Sequence, residues 1–193
     1  MIVPTREEFV NLGKTYNRIT VYREIEGDSI TPVILLKLFK NKDNLFLFES
    51  ANLDKSFSRF SFFGHSPEKV IDDGDLEFLK NLSKGEKVYL NSDFGDFSGG
   101  VVGFLSYEAV NHMDILREQL IKRSDFPDFV FFLINKFFVF DNHRFRLYAA
   151  VSVEVKGNKE EIYDFAVLET KKMEDELSNC SSSSSIFLVS KTA

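Results

Sequence analysis

Residues 45–64 constrain the fold more than any other stretch of this 193-residue chain. They read Leu-Phe-Leu-Phe-Glu-Ser-Ala-Asn-Leu-Asp-Lys-Ser-Phe-Ser-Arg-Phe-Ser-Phe-Phe-Gly. In a strand, Leu45, Leu47 and Glu49 share one face and Phe46, Phe48 and Ser50 the other. Both faces are apolar up to the last two residues, which predicts a central strand covered on both sides. In the second run Phe57, Arg59, Ser61 and Phe63 share a face, with Phe60 and Phe62 opposite, and the run stops at Gly64. A carboxylate that ends an apolar strand is costly to bury without a partner. Paired as a hairpin, the two runs bring Glu49 and Arg59 within reach of each other. Two readings follow: a structural ion pair, or a pocket for a zwitterion such as a free amino acid. In the second, Glu49 takes the ammonium and Arg59, Ser50 or Ser61 takes the carboxylate. Glu49 and Ser50 point to opposite faces, so both touch one ligand only at a strand end or through backbone.

The flanking sequence fills in an α+β chain of mainly antiparallel strands with helices beside them. Thr5 and Glu8 form a capping-box pattern for a short helix to about Gly13. Residues 17–25 alternate as a strand, and Thr31-Pro32 opens a helix over Pro32–Lys40. A strand follows near Lys69–Asp72, and Asp72-Asp73-Gly74-Asp75 reads as a hairpin turn, since it lacks the ligand spacing of a calcium loop. Residues 75–97 are polar and poorly periodic, predicting a loop with brief strands. Ser98-Gly99-Gly100-Val101-Val102-Gly103-Phe104-Leu105-Ser106-Tyr107-Glu108 matches neither phosphate-loop pattern. It reads as a strand whose glycines admit a close neighbour. Apolar positions at helical spacing predict a helix over 114–122. A long strand then runs from Phe126-Pro127-Asp128 to Phe140, turns at Asp141-Asn142-His143 and returns over Phe145–Val155. Asn158 and Glu161 cap a final helix with Ile162, Phe165, Ala166, Met173 and Leu177 on one face. From Ser178 onward the serines read as a flexible linker.

Composition narrows the function classes. The formal net charge of -6 and the absence of a basic stripe argue against nucleic acid. With 22 Phe, aromatic clusters read as core before they read as base-stacking platforms. The lone Cys180 leaves no internal disulfide and no cysteine-based metal site. His65, His112 and His143 share no ligand or triad spacing, so neither a metal nor a catalytic residue is assigned. The start lacks the order of a signal peptide, and the run Phe129–Phe140 is too short for a bilayer. The default expectation is a cytoplasmic protein with no membrane contact.

Phe48-Glu49-Ser50-Ala51 followed by Ser58-Arg59-Phe60-Ser61-Phe62-Phe63-Gly64 resembles the N-terminal region of anthranilate synthase component I. That family carries Leu-Leu-Glu-Ser and then Arg-Tyr-Ser-Phe-Ile-Gly. The openings also agree: Thr20-Val21-Tyr22-Arg23-Glu24 and Thr31-Pro32 match the family's Pro-Val-Tyr-Arg-Glu and Thr-Pro. So do the Gly-Gly segment at 99–108 and the Phe140-Asp141-Asn142-His143 turn. The resemblance implies that Glu49, Ser50 and Arg59 line part of an allosteric site for L-tryptophan. It implies the family's four-layer αββα sandwich, of which this chain is one part. Domain limits follow: an N-terminal domain over 1–178, then a Ser-rich linker and the truncated start of a chorismate-binding half over 179–193.

In the resembled family that second half carries the catalytic residues, the Mg2+-binding carboxylates and a segment closing the tryptophan pocket. The parent enzyme makes anthranilate from chorismate, with ammonia from a glutamine amidotransferase subunit (component II). This chain alone is expected to be inactive and to need no cofactor of its own. Two alternatives stay open. One is the related aminodeoxychorismate synthase component I; the other is a stand-alone amino-acid-binding module.

Overall fold

The computed structural model describes residues 1–26, 30–49, 59–72, 76–82, 84–113 and 125–183. The expected helix over 114–122, most of the turn at 72–75, and Ser50 lie outside them.

The chain is α+β with antiparallel sheets. β1 (Ile2–Val3), β2 (Arg18–Ile25), β3 (Phe46–Phe48), β4 (Phe60–Gly64), β8 (Lys136–Asp141) and β9 (Arg146–Glu154) form a six-stranded sheet in the order β1-β2-β9-β8-β4-β3. β5 (Lys69–Ile71), β6 (Gly100–Leu105) and β7 (Phe129–Ile134) form a second sheet, ordered β5-β7-β6. The described helices are α1 (Arg6–Leu12), α2 (Pro32–Leu38), α3 (Leu76–Asn81) and α4 (Lys159–Ser183).

Period-two patterning explains how the large sheet is covered on both faces. Along β8, Phe138 and Phe140 enter one core cluster while Phe137 and Val139 enter another. Along β9, Leu147, Ala149, Val151 and Val153 take the first side; Tyr148 and Ala150 take the second. The first cluster is closed by Phe9 of α1, Leu35 and Leu38 of α2, and Ala166, Met173 and Leu177 of α4. The second is closed by Val102 of β6, Ile134 of β7 and Phe94, whose ring stacks 4.0 Å from that of Tyr22. Strands buried on two faces lose the alternation of a half-exposed sheet, which is why β8 and β9 read as unbroken apolar runs.

Local signals hold at most helix ends. Thr5 accepts from the Glu8 N–H while the Glu8 side chain accepts from Thr5 N at 2.8 Å, completing the capping box of α1. Thr31 caps α2 with Pro32 at its first position, although α2 ends at Leu38. Asn158 Oδ1 accepts from Glu160 N at 3.1 Å ahead of α4.

Four expectations need correction. Among the described residues β3 stands at the edge of the sheet, paired with β4 alone. Phe46 and Leu47 do face opposite clusters, but the pairing ends at Phe48↔Phe62, and Phe48 is 47% exposed. The single long strand to Phe140 is two strands in different sheets, separated by Asn135. There the Asn135 side chain donates to Glu68 and its carbonyl accepts from Ser152 N at 2.7 Å. Residues 75–97 contain α3 and a 3-10 turn at Ser92–Phe94 capped by Asn91. Finally, the linker expected from 179 is helical as far as Ser183. Buried Leu177 anchors this end of α4, and serine hydroxyls bond back to helix carbonyls, Ser178 to Glu174 and Ser181 to Ser178, both at 2.9 Å.

Candidate functional site

The β3–β4 hairpin forms, and its register (Phe46↔Gly64, Leu47↔Phe63, Phe48↔Phe62) sets Glu49 and Arg59 at the same end. Glu49 follows the last paired residue of β3 and is exposed. Arg59 has a different anion from the one its sequence neighbourhood suggested. Its Nη2 and Nε donate to Asp141 Oδ2 at 2.7 and 3.1 Å. The side chain of Asp141 is 1% exposed and that of Arg59 26%.

Topology produces this pair. β4 runs antiparallel to β8 with Phe60 opposite Asp141, so Arg59 sits beside the carboxylate that ends β8. Asp141 Oδ1 accepts from the backbone N–H of His143 at 3.0 Å and of Arg144 at 3.1 Å, closing the turn into β9. Burial alone would raise the Asp141 carboxyl; Arg59 and the two backbone amides more than offset that and hold it below the ordinary carboxylate range. The guanidinium is raised in turn, chiefly by its hydrogen bond to Asp141. Ser61, another candidate to hold a ligand carboxylate, is buried, and its hydroxyl accepts from Asn142 Nδ2 at 3.0 Å. Sequence reasoning missed Asp141 as the partner, although the signal used for Glu49 is present there too: a carboxylate at the end of an apolar run.

Beside this pair lies an open cleft of about 530 Å3 lined by Arg59, Phe60, Phe62, Ser92, Gly95, Asp96 and Phe97. The Arg59 guanidinium carbon stands 4.6 Å from the centroid of the Phe60 ring, in cation–π range. Phe62 and Phe97 meet edge to face at 5.2 Å. The cleft thus offers aromatic faces, a fixed cation and the carboxylate of Asp96.

A second polar cavity, about 260 Å3, opens between the end of β4 and α4 and includes Lys42, His65, Lys136 and Glu176. Lys42 reaches Glu176 at 2.5 Å, and His65 Nε2 lies 3.6 Å from the same carboxylate. The His65 ring stacks on Phe39 at 4.6 Å. Burial, the largest effect, holds the imidazole below its ordinary 6.5; Glu176 pulls the other way, and Lys42 adds to the lowering. An unfolded His65 therefore binds its proton at higher pH than the folded one. This contribution to stability is whole above 6.5 and is lost as pH falls through the folded value. We expect the melting temperature of the wild type to fall more steeply below pH 6.5 than that of His65→Gln. Equal slopes in thermal melts on both sides of that pH would refute the assignment. His143 lies in the turn after β8 and its backbone N–H serves Asp141.

Among the described residues no group of three or more His, Cys, Asp or Glu could hold a metal. No described helix is long and apolar enough to cross a membrane.

Fold and site together define an α+β chain of antiparallel sheets with an aromatic, ion-anchored cleft at one hairpin end. No protein-family model matches the chain. It is similar, along nearly its whole length, to anthranilate synthase component I. The Acetivibrio thermocellus protein of that name is 25% identical over 92% of this chain and 40% of its own length. A probable anthranilate synthase component 1 of Schizosaccharomyces pombe is 27% identical over 91% of this chain and 38% of its own. The solved anthranilate synthase component I of Streptococcus pneumoniae aligns with 78% of this chain and 36% of that one, at 18% identity and a TM-score of 0.43. The chain spans about two fifths of the length of the curated relatives it matches.

Proposed function

We propose that this chain is the N-terminal regulatory portion of an anthranilate synthase component I and carries part of an L-tryptophan feedback site. The observation that carries the reading is the continuous similarity over 91–92% of the chain to proteins bearing that name. The hairpin end supports it: Glu49, Ser50 and Arg59 belong to the motifs of the resemblance, and an aromatic cleft opens beside Arg59. The whole protein would convert chorismate to anthranilate with ammonia from a component II partner. Mg2+ would be held by residues of the remaining half. Tryptophan would inhibit by binding one conformational state better than another, which is the only way a ligand can shift such an equilibrium.

The test uses the protein encoded by the complete reading frame that contains this chain. Supplied with chorismate, ammonium and Mg2+, it should release fluorescent anthranilate, and L-tryptophan should suppress the signal. Glu49→Ala should raise the tryptophan concentration needed for half-inhibition by a factor on the order of ten, the worth of one lost charge-assisted hydrogen bond. Formation of aminodeoxychorismate instead would point to the sister enzyme. Activity that saturating tryptophan leaves unchanged would sink the regulatory reading. This chain expressed alone should give no product.

A further inference from the structure

The geometry points to Asp141 as the positioning residue of the amino-acid site. It sets Arg59 so that the outer edge of the guanidinium meets a ligand carboxylate, while Phe60, Phe62 and Phe97 take the ligand's ring. This rests on the reading above that the protein binds L-tryptophan.

Three observations carry the inference. The first is the division of labour within Asp141: Oδ1 closes the β8–β9 turn through two backbone amides, and Oδ2 is given to Arg59. The second is the direction of the grip. Nε and Nη2 hold one side of a planar group that carries five N–H donors, and the Nη1 edge lies on the opposite side. Arg59 is also a wall residue of the cleft. The third is pre-organisation. A partly exposed arginine is fixed by a two-bond fork and by a ring 4.6 Å away, so its rotamer freedom is spent before a ligand arrives. The occupant that matches a fixed cation, aromatic walls and the nearby carboxylate of Asp96 is an aromatic amino acid in its zwitterionic form.

The experiment compares L-tryptophan with L-tryptophanamide, which keeps the ring and ammonium but lacks the carboxylate. Binding of both is titrated calorimetrically to the protein of the complete reading frame, as wild type and as Asp141→Asn. The wild type should favour the acid over the amide by a factor on the order of ten. In D141N this preference should shrink toward one, because the guanidinium is no longer aimed. A purely structural role would weaken both ligands by the same factor and leave the preference intact; that result overturns the inference. A wild type that binds tryptophan without preferring it to the amide overturns it too, while leaving the feedback reading standing. A wild type that binds neither ligand removes the feedback reading itself. If D141N does not fold, Asp141→Glu, which keeps the charge and moves the acceptors outward by one methylene, is read in the same way.

Discussion

Gly103→Ala is expected to destabilise the protein by about 3 kcal/mol or more, the upper end for overpacking. Gly103 lies in β6 opposite Phe131 of β7. A Cβ there would run into the Val130 carbonyl oxygen and stand 2.7 Å from the Phe131 Cα. Both atoms are backbone of a paired strand, so no side chain can swing away to make room. The two strands would have to part, which would cost their hydrogen bonds and loosen Val102 and Ile134 in the core between the sheets. Urea unfolding with an unchanged slope and a lower midpoint is the expected signature. A loss under about 1 kcal/mol would mean that the close approach of β6 to β7 is wrong.

Phe138→Ala should cost on the order of 3–5 kcal/mol. Phe138 is fully buried on the helix-covered face of the large sheet, with its ring centroid 5.7 Å from that of Phe39 and 6.1 Å from that of Phe63. These rings come from β8, from the end of α2 and from β4, so truncation leaves a cavity that three separate segments would have to collapse to fill. Phe48→Ala is the internal comparison. That phenylalanine is 47% exposed on the edge strand, and its loss should stay within about 1 kcal/mol. Similar losses for the two variants would contradict the burial assigned to β3 and β8.

The sequence made most elements legible because their signals are local. Caps at Thr5, Thr31 and Asn158 and alternation in β2 depend on neighbours a few residues away. The glycine pattern of β6 announced a close neighbour without naming it; at Gly103 that neighbour is the backbone of β7, whereas Gly100 has none. What stayed hidden depends on pairing between distant segments. Asn135 and Lys136 are the two polar residues in the apolar run 129–140 and mark the break, but periodicity does not say that the strands on either side belong to different sheets. The serines after Leu177 suggest a linker by composition, yet their hydroxyls find carbonyls on a helix already anchored by its buried face. At the candidate site, the hairpin end and Arg59 were legible and the true anion was not. Glu49 is near Arg59 along the hairpin, whereas Asp141 reaches it only because β8 lies beside β4.

The strand order also sets a timetable for synthesis. β2 pairs along its whole length with β9, from Arg18↔Glu154 to Ile25↔Leu147, while its other neighbour, β1, is only two residues long. As the chain leaves the ribosome, β2 therefore has an almost bare edge until β9 appears. The β3–β4 hairpin can close early, but the six-stranded sheet cannot assemble before residue 154 is free of the exit tunnel. Until then the edge of β2 that β9 will cover stays unpaired, the kind of surface that holdase chaperones shield.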